Sequence, residues 1–420
     1  MKGFFILALG LLVVLTGSVS QAQNATLDSL IRVVLDNNPD IKAAGHEYQA
    51  ARYQVKTAGK LPDPMLGLGA MNLPASSLSF NESPMSELML EFSQTIPWPG
   101  KLRKENQLAR FYADQKKIRL SARESNIVRM VTSGYYEYVY WKKVREIIAY
   151  NLRLVQSLVE VAGVRYANGL GTGQDYLQAV TALARLENRQ LQVERMIYSA
   201  LLFLNRLAGG RVSVDTALPA MLDEHIMVMD IPGVDSIRII NPVLAEAAVT
   251  ARMTEESAAL ARLQYWPDFT ISLGYGVRYD VPGDPMSGED MISFKVGISL
   301  PLWFGVKRNA VRAAGEQLLM AVQQERALEL QIEQLIKDIR EQLITIKASY
   351  QRYNEVIVPR TRAAFDAAGI AYEVGQIDFN ALLSTQTEFL EVVLERLRLI
   401  YDFHNRLAEY RELTGEKNNR

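Results

Sequence analysis

Phe269-Thr-Ile-Ser-Leu-Gly-Tyr-Gly-Val-Arg-Tyr279 decides the fold. Every odd position is apolar or aromatic: Phe269, Ile271, Leu273, Tyr275, Val277 and Tyr279. Every even position is small or polar: Thr270, Ser272, Gly274, Gly276 and Arg278. That is the period of two of a β-strand with two unlike faces. Ile292, Phe294, Val296, Ile298 and Leu300 alternate in the same way with Ser293, Lys295, Gly297 and Ser299. Leu88, Leu90, Phe92 and Ile96 alternate with Glu87, Glu91, Ser93 and Thr95, and Met65 to Met71 gives a weaker fourth run with glycines at 67 and 69. The predicted strands are 64–73, 87–96, 268–279 and 291–300, each about ten residues, a length that crosses a bilayer at a tilt. A soluble sheet would show the same period. Strand length and the placing of Trp98, Trp266 and Trp303 at the strand–helix junctions, as in an interfacial aromatic belt, favour a membrane barrel. Four strands leave two open edges, which lipid does not tolerate, so the barrel must be shared between copies. Two copies give eight strands, filled by their own side chains. Three give 12 and a lumen wide enough to hydrate Glu87, Glu91, Arg278 and Lys295. A homotrimer is expected.

The chain around these strands is a repeat. Asn38-Pro39 returns as Asn241-Pro242, Leu61-Pro62-Asp63 as Trp266-Pro267-Asp268, Ile96-Pro97-Trp98 loosely as Leu300-Pro301-Leu302-Trp303, and Tyr166-Ala-Asn-Gly169 as Tyr372-Glu-Val-Gly375. The order is the same and the offsets stay near 205 positions. Repeats at a fixed offset mark a duplicated architecture. Each copy reads helix, strand, loop, strand, long helix, turn, helix, with prolines at the boundaries. From Lys101 to about Ala167 there is no proline and the apolar spacing is three and four, predicting a helix roughly 100 Å long, suited to a coiled coil or a tunnel wall. Its counterpart is expected from about Lys307 to Ala368 with an interruption near Pro359, and shorter returning helices near 174–207 and 378–413. The expected organisation is a leader over 1–22, a first repeat over 23–208, an inter-repeat linker or collar over 209–240, and a second repeat over 241–420.

Other features narrow the function classes. Lys2, an apolar run from Phe4 to Leu15 and Ser20-Gln21-Ala22 read as a cleavable signal peptide. No uninterrupted apolar stretch after it reaches the roughly 20 residues of a membrane helix. The 46 basic and 47 acidic residues nearly cancel, which gives no reason to expect nucleic acid as a partner. The absence of cysteine excludes a disulfide frame, a thiolate nucleophile and a lipid-bearing N-terminal cysteine. His46, His225 and His404 are scattered, and no phosphate loop or nucleophile elbow occurs, so neither an enzyme nor a cofactor is expected. The best metal candidate is Met221, His225, Met227 and Met229, thioether and imidazole ligands suited to Cu(I) or Ag(I). Methionines that fill packing gaps are the blander reading.

With two repeats, two hairpins and long helices joined at tight turns, the chain resembles the TolC-like outer membrane efflux proteins over nearly its whole mature length. The sharpest matches are the turns Tyr166-Ala-Asn-Gly-Leu-Gly-Thr-Gly-Gln-Asp-Tyr-Leu177 and Tyr372-Glu-Val-Gly-Gln-Ile-Asp-Phe-Asn-Ala-Leu382. The resemblance implies a mainly α fold with a shared β-barrel in outer-membrane lipid and a periplasmic helical tunnel. It also implies a passive duct that meets a periplasmic adaptor protein and an inner-membrane pump. Gly169, Leu170, Asp175, Tyr372, Gly375 and Asp378 would then lie at the periplasmic tip that gates the duct and docks the adaptor. At the positions nearest the acidic ring of well-studied members stand Asn380 and Leu383, and Asp378 is close but shifted in register. Ser93-Gln-Thr-Ile-Pro-Trp-Pro-Gly-Lys101 looks like the branch paired with heavy-metal pumps of the resistance-nodulation-division type, which implies metal cations as cargo. A duct for drugs or proteins is the alternative within the family, and a secreted coiled-coil structural or adhesion protein the alternative outside it.

Overall fold

The computed structural model describes residues 16–211, 227, 241–283 and 288–415, with side chains from residue 27 onward. The elements are α1 (Thr16–Asn37), α2 (Pro39–Thr57), β1 (Met65–Met71), β2 (Glu87–Ile96), α3 (Lys101–Ala167), α4 (Gly173–Leu207), α5 (Pro242–Leu263), β3 (Phe269–Arg278), β4 (Met291–Ile298), α6 (Phe304–Arg352), α7 (Val358–Glu373) and α8 (Phe379–Thr414). Most of the expected leader, and all of the expected linker but 209–211 and Met227, lie outside the described residues, as do Met221, His225 and Met229. Met227 is buried. The strands are shorter than expected at five ends: β1 and β3 begin one residue later, at Met65 and Phe269, and β1, β3 and β4 end at Met71, Arg278 and Ile298.

The chain divides into two compact units, one of Met1–Ala43, Ser121–Pro242 and Leu330–Arg420, the other of Ala44–Leu120 and Val243–Glu329. The first is helical throughout its described elements. Ala179, Leu186, Val193, Ala200 and Leu207 bury one face of α4 at a strict seven-residue interval, the spacing of a coiled-coil seam. On α3, Ile127, Val131, Tyr135, Tyr138, Val144, Ile148, Val155 and Ala162 are buried. At Gly134 the helices approach closely: a Cβ there would lie 2.8 Å from the Phe203 ring. One 18-residue window of α3 has mean hydropathy 1.3, so α3 alone among the described helices is long and apolar enough to cross a membrane, contrary to the expectation of none. Only 22 % of that window is buried within the chain; along α3 as a whole, Ile127, Val131, Tyr135, Val139 and Ile148 are almost wholly buried and Tyr136 stacks on His404 of α8 at 3.7 Å.

The repeated Asn-Pro pair has a shared task. The Asn38 side chain is 2 % exposed. Its Oδ1 accepts from the N–H groups of Asp40 (2.9 Å) and Ile41 (3.2 Å), capping α2, while its Nδ2 donates to the Leu207 carbonyl at the end of α4 (2.8 Å). Asn241 before α5 donates likewise to Leu413 at the end of α8 (2.8 Å). Each carboxamide thus ties the start of its repeat to the last helix.

The expected break near Pro359 is a π-helical turn over Tyr353–Ile357, between α6 and α7. It lies upstream of the proline because the ring clashes with the carbonyl four residues earlier, Glu355, and a wider turn relieves that clash. Arg396 of α8 faces this turn, donating to Asn354 Oδ1 (3.1 Å) and the Tyr350 hydroxyl (3.2 Å).

The second unit holds one antiparallel sheet in the order β1-β2-β3-β4. In the same unit, the start of α3 lies between helices of both repeats. On one side Asn106 Nδ2 donates to the Val55 and Ala58 carbonyls (both 3.0 Å), finishing α2, and Lys116 pairs with Glu47 (2.8 Å). On the other side Lys104 pairs with Glu256, Gln115 donates to Thr250 (2.9 Å), and Arg119 pairs with Glu246 (2.5 Å) of α5.

Candidate functional site: an inverted sheet and two helical turns

The sheet's two faces are inverted relative to a soluble protein. The register aligns Leu66, Phe92, Leu273 and Phe294 in one row and Leu68, Leu90, Tyr275 and Ile292 in the next. These side chains face outward: Leu68 is 73 % and Ile292 75 % exposed. On the other face Met89 and Ser272 are each 8 % exposed. On the inner strands the small and polar face is the more buried one, and presenting rows of leucine and phenylalanine to the surroundings is stable where those surroundings are hydrocarbon. Glu87, Glu91, Arg278 and Lys295 all lie on the polar face, and Lys295 reaches Glu91 at 3.5 Å. Glu91 stands between Gly67 and Gly274, and Met89 between Gly69 and Gly276, so neither has a side chain directly opposite it on the adjoining strands.

Where strands meet helices, α3 begins with a cation and has no acidic residue in its first turn, against the sense of the helix dipole. Asp268, which precedes β3, offsets this. It accepts from Lys101 Nζ (2.7 Å) and from the Trp98 N–H (2.8 Å), and Lys101 also donates to the Trp266 carbonyl (3.0 Å). The Trp98 and Trp266 rings stack on each other at 4.7 Å, whereas Trp303 stands 77 % exposed. Burial pushes the Asp268 carboxyl upward, but the hydrogen bonds from Lys101 and Trp98 and the charges of Lys101 and Lys307 together bring it below its ordinary value. A carboxyl with a lowered folded pKa adds stability that is full above the unfolded value and disappears as pH falls through the folded one. Asp268→Asn is therefore expected to cost about 1–3 kcal/mol at neutral pH, and to remove the share of stability that this carboxyl is expected to lose on acidification below about pH 4. Melting curves in detergent across that range measure both.

The helical unit contains both glycine turns. Gly169 (φ +70°) and Gly375 (φ +76°) follow the ends of α3 and α7 in the left-handed conformation. Leu170, next to Gly169, stands on the surface at 69 % exposed. α4 begins at a capping box, in which Thr172 Oγ1 accepts from the Asp175 N–H and Asp175 Oδ2 accepts from the Thr172 N–H (both 3.1 Å). Asp175 caps from the third helical position, so Thr172, not Asp175, is the N-cap, as this box requires. Asp378 is the N-cap of α8, accepting from the Ala381 N–H at 2.8 Å. The ends of the four helices pack on one cluster, Ala162, Ala179, Tyr372, Phe379 and Leu382. Arg165 lies over the Tyr372 ring at 4.9 Å and donates to the Leu170 carbonyl (3.3 Å), joining the two turns. Burial raises the Tyr372 phenol; Arg165 opposes this and Asp175 adds to it. Gly375→Val would force a β-branched residue into a left-handed conformation, an expected loss of about 1–2 kcal/mol readable by denaturant unfolding.

Sequence reasoning missed Thr172, Arg165 and the Lys101–Asp268 pair. A cation in a helical first turn was the available signal for the last. It also missed a buried bond between Gln386 Nε2 and Asn151 Oδ1 (2.8 Å). Among the described residues no cluster of three or more histidine, aspartate or glutamate side chains is arranged to hold a metal ion.

The chain matches the family described as outer membrane efflux protein twice, over residues 30–210 and 234–416. No curated protein sequence matches it. Among solved structures, the outer membrane protein VceC from Vibrio cholerae shares 19% identity over 94% of this chain and 98% of its own, with a TM-score of 0.80. CusC shares 16% over 93% and 92% with a TM-score of 0.79, and the outer-membrane channel OprN 16% over 95% and 92% with 0.77. The chain belongs to the outer membrane efflux protein family.

Proposed function

We propose that three copies close a 12-stranded barrel and form the passive outer duct of a tripartite efflux system. The observation that carries this is the inverted sheet, a lipid-facing apolar surface on a four-stranded piece whose outer strands, β1 and β4, have no further strand partner among the described residues. Hydrocarbon leaves open edges unsatisfied, and copies of the same sheet are the simplest way to pair them. In the closed barrel Glu87, Glu91, Arg278 and Lys295 line the lumen, and Trp98, Trp266 and Trp303 lie at the periplasmic interface of the membrane. Residues 1–22 act as the export leader, and 209–240 join the repeats 23–208 and 241–420.

The duct contains no motor in this reading. Energy comes from an inner-membrane pump of the resistance-nodulation-division type, reached through a periplasmic adaptor that docks at the turns carrying Gly169, Leu170, Asp175, Tyr372, Gly375 and Asp378. Metal cations are the proposed cargo, supported by the resemblance of residues 93–101 to the metal branch. Growth of a deletion strain on copper, silver, zinc and cobalt beside a drug panel tests the cargo: lost metal tolerance is expected, and raised drug sensitivity with unchanged metal tolerance refutes it. Light scattering in detergent tests the assembly, with a trimer expected and a monomer or dimer fatal.

A further inference from the structure

We propose that the polar face of the sheet, near the loop end of its strands, binds a soft monovalent cation, Ag(I) or Cu(I), between the thioethers of Met89 and Met291 and beside the Glu87 carboxylate. The proposal rests on the metal-cargo reading of the same duct and narrows that cargo to soft ions.

The register brings these groups together. One row across the sheet reads Gly69, Met89, Gly276, Met291, and the next row toward the loops reads Met71, Glu87, Arg278. Both rows lie on the polar face, at the end of the sheet away from the tryptophan junctions. Met89 and Met291 flank Gly276 from the strands on either side, two strand spacings or about 9–10 Å apart at Cα. Two unbranched, flexible thioether side chains can close on a cation across that gap. The Glu87 carboxylate leans into the space over Gly276 that a Cβ would otherwise take. Arg278, opposite Glu87 in the register, donates to the Pro84 carbonyl in the loop.

Two observations separate these methionines from ones that only fill gaps. Met291 is 51 % and Met71 39 % exposed, on the face turned away from the apolar rows, so neither plugs a hole in a core. Ser293 of β4, opposite Gly274, is the second. Its Oγ lies over Gly274, where Met89 Sδ also comes within 3.6 Å of the place a Cβ would take. That hydroxyl oxygen is buried without a hydrogen-bond partner among the described residues, although buried polar groups are as a rule partnered. Thioether sulfur, an unpartnered oxygen and a carboxylate thus face one cradle floored by glycine. Thioethers suit soft ions such as Cu(I) rather than oxygen-seeking ones such as Mg(II), and the carboxylate offsets the charge.

The chain has no cysteine, so silver meets no thiol. The exported chain, labelled with 13C at its methionine methyls, is titrated with silver nitrate in chloride-free detergent buffer. Silver should shift the signals of Met89 and Met291, identified by their loss in Met89→Leu and Met291→Leu. The signal of Met65, on the same face at the helical end, should stay in place. Leucine keeps the volume and removes the sulfur. Each variant should therefore fold and weaken silver binding, read from the remaining methyl, by about tenfold or more. Glu87→Gln should weaken it by about threefold or more. Shifts confined to other methionines overturn the site, as does Mg(II) or Co(II) bound as tightly as silver. Lost silver tolerance in a deletion strain, without shifts at Met89 and Met291, overturns the site and leaves the cargo reading standing. Those shifts with tolerance unchanged by deletion overturn the cargo reading and support the site as a binding site alone.

Discussion

Leu273→Arg is expected to remove this protein from the outer membrane. Leu273 lies midway along β3, aligned with Phe92 on one side and Phe294 on the other, in the apolar row that faces outward. An arginine at the middle of a lipid-facing strand costs about 2–4 kcal/mol, and every copy in an assembly would carry it. Ser93→Arg on β2 puts the same charge on the polar face and should be tolerated. Fractionation followed by detergent extraction separates the outcomes. Equal recovery of both variants from the outer membrane would mean that the apolar face does not meet lipid.

The second large effect is expected at the paired asparagines. Asn38→Ala removes the cap of α2 and leaves the Leu207 carbonyl buried without its donor, a combined loss of about 2–4 kcal/mol. Asn241→Ala should behave alike through Leu413. The two bonds share no partner, so the double variant should lose about the sum. Asn38→Asp separates the two roles. It keeps the oxygen that caps Asp40 and Ile41 but lacks the nitrogen that reaches Leu207, so it should recover only the capping share. Denaturant unfolding of the full chain in detergent reads each value, and a loss below about 0.5 kcal/mol for Asn38→Ala, the low end of a single cap, would leave the ties without energetic weight.

The sheet was legible because the period of two is written into every strand and the face it turns outward is the one that reads as apolar. The turns were legible because Gly169 and Gly375 stand where helices end, and left-handed backbone there favours glycine. The Asn-Pro pairs were visible as landmarks, but their bonds were not. A carboxamide shows no trace in sequence of a carbonyl 169 residues away. The Asn151–Gln386 bond was hidden for the same reason: a polar residue within a helix reads as a solvated position until the facing helix is placed. Pro359 signalled a break, but its position, upstream over Tyr353–Ile357, follows from the direction in which a proline ring collides with its own helix. The capping box at the start of α4 shows only when Thr172 and Asp175, three residues apart, are read together.

The asparagine ties also set an order of events. When such a chain is exported N-terminus first, contacts can form only among residues already across. The Asn38 tie is complete once Leu207 has emerged. The central seam of the sheet needs β3, which lies beyond α5 in the second repeat. The Asn38 tie is therefore available before strand pairing between the halves, whereas the β1–β2 hairpin, with Leu66, Leu68, Leu90 and Phe92 on its apolar face, is across earlier still and is the part of that face with the longest exposure to water.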